Sequence, residues 1–257
     1  MRTRTALCTA GLLLLVSTAA WAQSAADEIA AGIRESTARK PALALPHFER
    51  ALQAEPRNYV ALYWAASQLV DLGEFERNIE KRTAMYARAT DYATRATIVN
   101  PKDAEGFFHL SRAVGRTALA VGPRERTKYA VAVRDNALKA LELSPQHPGA
   151  LHIMGVWNAE IMRLNGIARL VAKTFLGGKV FSTASWADAT RYMEQSVAVD
   201  PARLVHRLDV ARVYRDTGRK ADALAAYKAA IASADIDAND DKYRVDAVKE
   251  LKALSVP

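Results

Sequence analysis

Four stretches of this chain close in the same way. "HFERALQAEPRN", "ATRATIVNPKD", "NALKALELSPQHP" and "YMEQSVAVDPAR" each run with a helical period into a polar residue and a proline: Pro56, Pro101, Pro145 and Pro201. Proline cannot continue a helix and drives the residue before it out of the α region. Each stretch therefore predicts a helix end, with the proline opening the next helix, where its missing N–H costs nothing. Counting back from the prolines, small or apolar residues recur at fixed offsets: Ala44, Phe48 and Ala51; Ala89, Ala93 and Ala96; Ala137 and Ala140; Ala189 and Met193. Ala223, Tyr227 and Ala230 repeat the spacing further on. A recurring unit cannot bury its apolar face alone, so it must stack on its copies. The composition, 50% hydrophobic and 25% charged with 12 glycines in 257 residues, is that of a folded helical chain.

These offsets resemble the second helix of a tetratricopeptide unit, where small side chains let paired helices approach. The first helices agree in part. Gly32, Gly155 and Ala211 fall at the small position, and Gly73 and Gly218 at the inter-helix turn, followed by Phe75 and Lys220. "VARVYRDTGRKADALAAYKAAIA" is the clearest copy. The prolines stand 45, 44 and 56 residues apart, against about 34 for the usual unit. An excess of eleven residues makes about three helical turns, which predicts lengthened helices or one extra short helix rather than loose loops. "DDKYRVDAVKELKALSVP" then reads as a polar-faced helix capping the open end. The expected fold is all-α: a tetratricopeptide-like α-solenoid of about five helix pairs with lengthened units and a C-terminal capping helix.

The N-terminus is read separately. Arg2 and Arg4 precede an apolar run from Ala6 to Val16, and small residues end in Ala20-Trp21-Ala22. This is the three-part pattern of a secretory signal, with cleavage expected after Ala22. The run is about half of the roughly 20 residues a membrane-spanning helix needs. Residues 1–22 are thus assigned to a signal peptide and 23–257 to the repeat domain, located in the periplasm or secreted. Cleavage removes Cys8, the single cysteine, and lowers the net charge from +8 to +6. Such a domain forms no disulfide and depends on its packed core.

Between Pro145 and Pro201 the pattern sharpens. Gly155-Val156-Trp157 gives a Gly-x-Trp in a first helix, "TFLGGKVF" (Thr174 to Phe181) a Phe-Gly turn, and Ser182 to Asp188 a Ser/Thr-rich, acidic helix start. Together with the stretched units this segment resembles the regulator of microtubule dynamics family of helical-repeat proteins, and the resemblance runs over roughly residues 25–235. It implies the same helical-repeat fold. It also implies microtubule association, which belongs to a eukaryotic setting at odds with a secretory signal, and in one branch lipid binding or transfer at membrane contacts. Glycine tolerates the positive φ that ends a helix, so "TFLGGKVF" reads as the joint of an enlarged fourth unit, with Ser185 to Asp188 as a capping box.

The five histidines form no HExxH pair, and no phosphate-binding GxxxxGK[ST] or GxGxxG occurs. No metal, cofactor or catalytic centre is expected, and the chain reads as a binding protein rather than an enzyme. Carrying the repeat frame forward places Tyr63, Phe108, Arg112, Arg116, His152, Arg212 and Arg215 on or near the concave face. Arginine's planar fork suits carboxylates and phosphates, so the primary reading is a scaffold holding an acidic peptide or protein partner in a basic groove. An i,i+4 partner such as Asp216 for Arg212 would instead make these arginines a solvated face. The alternative reading is an envelope carrier of a lipid or other apolar ligand, lined by Leu164, Phe175, Leu176 and Phe181. Nucleic acid is not expected, because the basic charge is spread over many helices in an exported protein.

Overall fold

The computed structural model describes residues 25–120, 123–164 and 178–255, and its described residues are helices joined by turns. The helices are α1 (25–37), α2 (Pro41–Ala54), α3 (Tyr59–Glu74), α4 (Ile79–Val99), α5 (Ala104–Ala120) and α6 (Pro123–Leu143). They continue as α7 (Pro148–Arg163), α8 (Gly178–Ser182), α9 (Trp186–Val199), α10 (Leu204–Asp216), α11 (Lys220–Ala232) and α12 (Asp240–Ser255). Five antiparallel pairs, α1/α2, α3/α4, α5/α6, α7/α9 and α10/α11, stack in chain order, and α12 packs on the last. Among the described residues no helix is long and apolar enough to cross a membrane.

The prolines act one step earlier than the sequence reading placed them. Pro56, Pro101, Pro145 and Pro201 occupy two-residue turns and do not open the following helix. The residue before three of them holds one non-helical geometry: Glu55 at φ −128°, ψ 82°, Asn100 at −134°, 86° and Asp200 at −128°, 78°. Its N–H still bonds back to a helical carbonyl at 2.8 to 3.0 Å, so the helix is closed as the chain leaves it. Two residues after the proline comes the N-cap. Asn58 Oδ1 accepts from the Ala61 N–H, Asp103 Oδ1 from that of Glu105, and His147 Nδ1 from that of Ala150. Each cap satisfies one of the donors that a helix start leaves over.

The small-residue frame forms the pair interfaces. Ala44, Phe48, Ala51, Ala89, Ala93, Ala96, Ala137, Ala140, Ala189, Ala223, Tyr227 and Ala230 are completely buried, and Met193 nearly so. Opposite the bulky members stand glycines: a Cβ on Gly32 would lie 2.7 Å from the Phe48 ring, and one on Gly155 2.7 Å from Met193. Gly218 takes φ +78° in the turn between α10 and α11. Gly73 lies within the last turn of α3 rather than beyond it, and its missing side chain makes room for Tyr86, 2.6 Å from where a Cβ would be.

The extra residues of the second and third units lengthen helices, since α4 and α6 each run 21 residues. The fourth unit instead gains the five-residue α8; Phe175 and Leu176 of its joint lie outside the described residues. Phe181 is buried and stacks on Trp157 at 6.4 Å, and Trp157 Nε1 donates to the Ala130 carbonyl. The Ser185 cap forms, with its Oγ accepting from the Asp188 N–H, but the Ser185 N–H is taken by Asn158 Oδ1 on α7 instead of by Asp188.

Two glycines in helices test this packing. Phe48 is pinned by its stack on Trp64, so Gly32→Ala should cost about 1–3 kcal/mol of stability. At Gly115 the nearest atom to an added Cβ is 3.7 Å away, so Gly115→Ala should be neutral or stabilise by about 0.5–1 kcal/mol. Urea unfolding of both variants measures the contrast.

Candidate functional site: a chamber on the concave face

The first helices α3, α5, α7 and α10 bring their inner faces together around a partly enclosed chamber of about 1140 Å³. A further wall is α12 with the loop before it, through Ile236, Asn239, Tyr243 and Glu250. The C-terminal helix therefore does more than cap the fifth pair. It returns to the second unit and closes the array on itself. Tyr243 donates its hydroxyl to Glu74 and packs edge-on against Phe75 at 5.7 Å. Asn239 Nδ2 donates to the Asp71 carbonyl at 3.0 Å, and Arg116 reaches both Glu74 (2.5 Å) and the Tyr243 hydroxyl (3.3 Å). The Glu74 side chain, 6% exposed, thus holds three elements together.

All seven concave-face residues expected from the repeat frame line this chamber: Tyr63, Phe108, Arg112, Arg116, His152, Arg212 and Arg215. The expectation of a basic surface is corrected by their partners. Six arginines and seven carboxylates line the chamber. Arg112 pairs with Asp71 (2.6 Å), Arg212 with Asp209 (2.8 Å) and Glu250 (2.5 Å), and Arg215 with Glu250 (3.0 Å). Asp216, a candidate partner for Arg212 one turn away, instead takes Arg163 at 2.6 Å and Arg215 at 2.9 Å. The arginines join neighbouring first helices to one another and to α12. An incoming acid would have to displace a half-buried carboxylate at each position. Of the residues expected to line an apolar site, Leu164 faces the chamber, whereas Phe181 belongs to the core.

Four histidines also line the chamber, and their roles follow from their bonds. His147 Nδ1 accepts from the Ala150 N–H, so its proton sits on Nε2, 3.2 Å from Glu105. His109 Nε2 lies 3.5 Å from the same carboxylate, with Tyr63 stacked on its ring at 5.5 Å. Burial alone would raise the pKa of Glu105, but the hydrogen bonds from His109 and His147 hold it well below the usual range. Burial pushes His109 down more strongly than Glu105 raises it. Across the chamber, His152 Nε2 lies 2.8 Å from Asp209 and its ring stacks on His206 at 4.6 Å. His206 Nδ1 lies 2.9 Å from the Ser196 hydroxyl, which donates to the Pro148 carbonyl. Burial, reinforced by His152 and Arg203, pushes His206 down to about 2. Among the described residues no group of three potential metal ligands forms.

Sequence reasoning missed Gln68, Asp71, Glu74, Asp209 and Glu250 as chamber residues. Two of the acids were available to the repeat frame: Asp71 and Glu74 lie on α3 one unit before Arg112 and Arg116 on α5.

A sequence profile of the family described as "Regulator of microtubule dynamics protein 1-3" matches residues 16–255. Regulator of microtubule dynamics protein 1 of Mus musculus is 29% identical over 126 residues, which cover 48% of this chain and 39% of that protein. The Bos taurus protein of the same name is 25% identical over 122 residues, covering 48% and 38%. The match thus spans about two fifths of these relatives. Among solved structures, a thermophilic TPR protein of Thermus thermophilus superposes with a TM-score of 0.64 at 20% identity, over 88% of this chain and 99% of that one.

The buried histidines set a pH window. A histidine whose folded pKa is depressed binds protons better when unfolded, so its contribution is complete above about pH 6.5 and falls as the pH drops. The loss per buried histidine approaches about 1.4 kcal/mol per pH unit. The chamber carboxylates, Glu105, Asp209 and Glu250, are depressed below their ordinary values and act only at more acidic pH. His206→Asn keeps a donor for Ser196 but takes no proton. Between pH 7 and pH 5 wild type should lose about 1–2 kcal/mol more than this variant in urea unfolding. Equal losses would contradict a neutral, buried His206.

Proposed function

The chain belongs to the regulator of microtubule dynamics family, and from that membership and the chamber's geometry we propose that it is a non-catalytic binding protein holding an extended segment of a partner protein. The observation that carries this reading is the convergence of four first helices and α12 on one partly enclosed chamber. Its charges are already matched by ion pairs, so the segment it accepts is largely uncharged rather than acidic. Tyr63 and Phe108, with Trp64 and Val156, offer the apolar and aromatic contact area. Arg112, Arg116, Arg212 and Arg215 stiffen the wall through their carboxylates and leave recognition to neutral groups. The histidines support a binding role: His147 caps α7, His206 anchors Ser196 and His152 sits on Asp209.

The three-part pattern of residues 1–22 supports a periplasmic or secreted setting for this binding. The relatives' name concerns microtubule dynamics, but that setting and the partial span of the match argue against microtubules as this chain's partner. A second reading rests on a separate observation. Ile153, Val156, Trp157 and Ile161 of α7, with Leu164 just beyond it and Met193 and Val213 beside them, form an apolar part of the chamber wall. This wall suits an acyl chain or another apolar ligand.

Native mass spectrometry of the purified chain, with lipid extraction in parallel, decides between them. Val156 and Val205 are half-buried in the chamber wall, so Val156→Trp and Val205→Trp should narrow the chamber. A polypeptide should accompany the wild-type chain and fall at least tenfold in the narrowed variants. Equal retention would place binding elsewhere, and a stoichiometric lipid would replace the first reading with the second.

A further inference from the structure

We propose that Gln68 and His109 form a subsite for an uncharged secondary amide, the main chain of the bound segment. This rests on the reading that the segment lies in the chamber. Buried polar atoms in folded proteins are almost always hydrogen-bonded, so exceptions call for a physical reason. Gln68 is 1% exposed and its Nε2 donor has no partner among the described residues; His109 is 7% exposed and its Nδ1 has none there either. Both residues line the chamber. Leaving such groups unpaired is unfavourable, and a ligand supplying both partners would offset that penalty.

The chemistry of the pair selects the ligand. His109 turns Nε2 towards Glu105 at 3.5 Å. In the neutral ring Nε2 then carries the proton, and Nδ1 is an acceptor. Gln68 Nε2 is a donor. A carboxylate would use the donor but meet the lone pair of His109, and an ammonium would use the acceptor but oppose the Gln68 N–H. A secondary amide supplies both halves: its carbonyl accepts from Gln68 and its N–H donates to His109.

The spacing agrees. α3 and α5 run side by side in register, with Tyr63 stacked on His109, Arg112 bonded to Ser67 and Asp71, and Arg116 paired with Glu74. Gln68 therefore stands about one helical turn beyond the level of His109, roughly 5–7 Å along the chamber. The O and N of an amide are about 2.2 Å apart, and two hydrogen bonds of about 2.9 Å extend its reach to roughly 8 Å. Further along α3, Glu74 Oε2 is also buried with no partner among the described residues. It adds an acceptor beyond the donor, the alternation an extended main chain presents.

The test uses the full chain and an uncharged probe, acetyl-(Ala-Ser)3-N-methylamide. Titration is followed through the 15N resonances of the Gln68 side-chain amide and His109 Nδ1. Both should move along one saturation curve. Gln68→Met keeps the volume and removes the donor; it should fold with an unchanged or raised melting temperature and bind the probe at least tenfold more weakly. Replacing one probe amide by an ester, which removes its N–H, should weaken binding to wild type by about tenfold at one position and cost nothing further in His109→Phe. Absence of saturation, saturation without movement of these two resonances, or undiminished binding by Gln68→Met would each overturn the assignment. Should the narrowed-chamber variants lose the partner while Gln68→Met keeps it, the amide subsite fails and the chamber reading stands.

Discussion

A buried carboxylate on α3 organises this molecule. Glu74 sits near the end of the second unit's first helix, almost out of solvent, and it takes a guanidinium from α5 and a phenol hydroxyl from α12. An unpaired charge in that position would cost several kcal/mol, so the groups that satisfy it are drawn in from distant parts of the chain. Tyr243 is 169 residues from Glu74 in sequence. Their contact turns a linear stack of helix pairs into a closed arrangement. Burial pushes the Tyr243 hydroxyl well above its ordinary pKa, so it stays a donor. The chamber exists because this closure gives the concave face a further wall.

The closure in turn depends on the repeat. Alanines and glycines at the pair interfaces let helices approach within the reach of a single Cβ, as at Gly32 against Phe48 and Gly155 against Met193. Similar cap geometry at Glu55, Asn100 and Asp200 restarts each unit in the same direction. First helices so placed present their polar residues to one another, and opposite charges meet across helices: acids on α3 with arginines on α5, and arginines on α10 with an acid on α12. Cross-helix pairs follow, and the wall they make is close to neutral.

Much of the fold was legible because packing positions recur at fixed offsets from the prolines. The buried alanines, the lengthened second and third units and the inward set Tyr63, Phe108, Arg112, Arg116, His152, Arg212 and Arg215 all follow from that frame. What escaped depends on contacts between residues far apart in the chain. Arg212 sits four residues before Asp216, yet Glu250 on α12 reaches it across the chamber, and local spacing carries no trace of that. The return of α12 to α3 is likewise invisible to a pattern that describes each unit against its neighbour. Gln68 was missed for a different reason: a lone glutamine in a helix reads as surface until the burial of its side chain is known.

The same neutrality links structure to proposed role. A chamber whose charges are spent on its own walls recognises a ligand by shape, apolar contact and a few unpaired hydrogen-bonding groups. The most direct measurement is a double-mutant cycle between the two ends of the closure, Glu74→Gln and Tyr243→Phe, by urea unfolding of the single and double variants. A closed array in solution requires a coupling energy of about 1 kcal/mol or more. A coupling indistinguishable from zero would mean that α12 does not meet α3, and the chamber with its proposed contents would have no wall on that side.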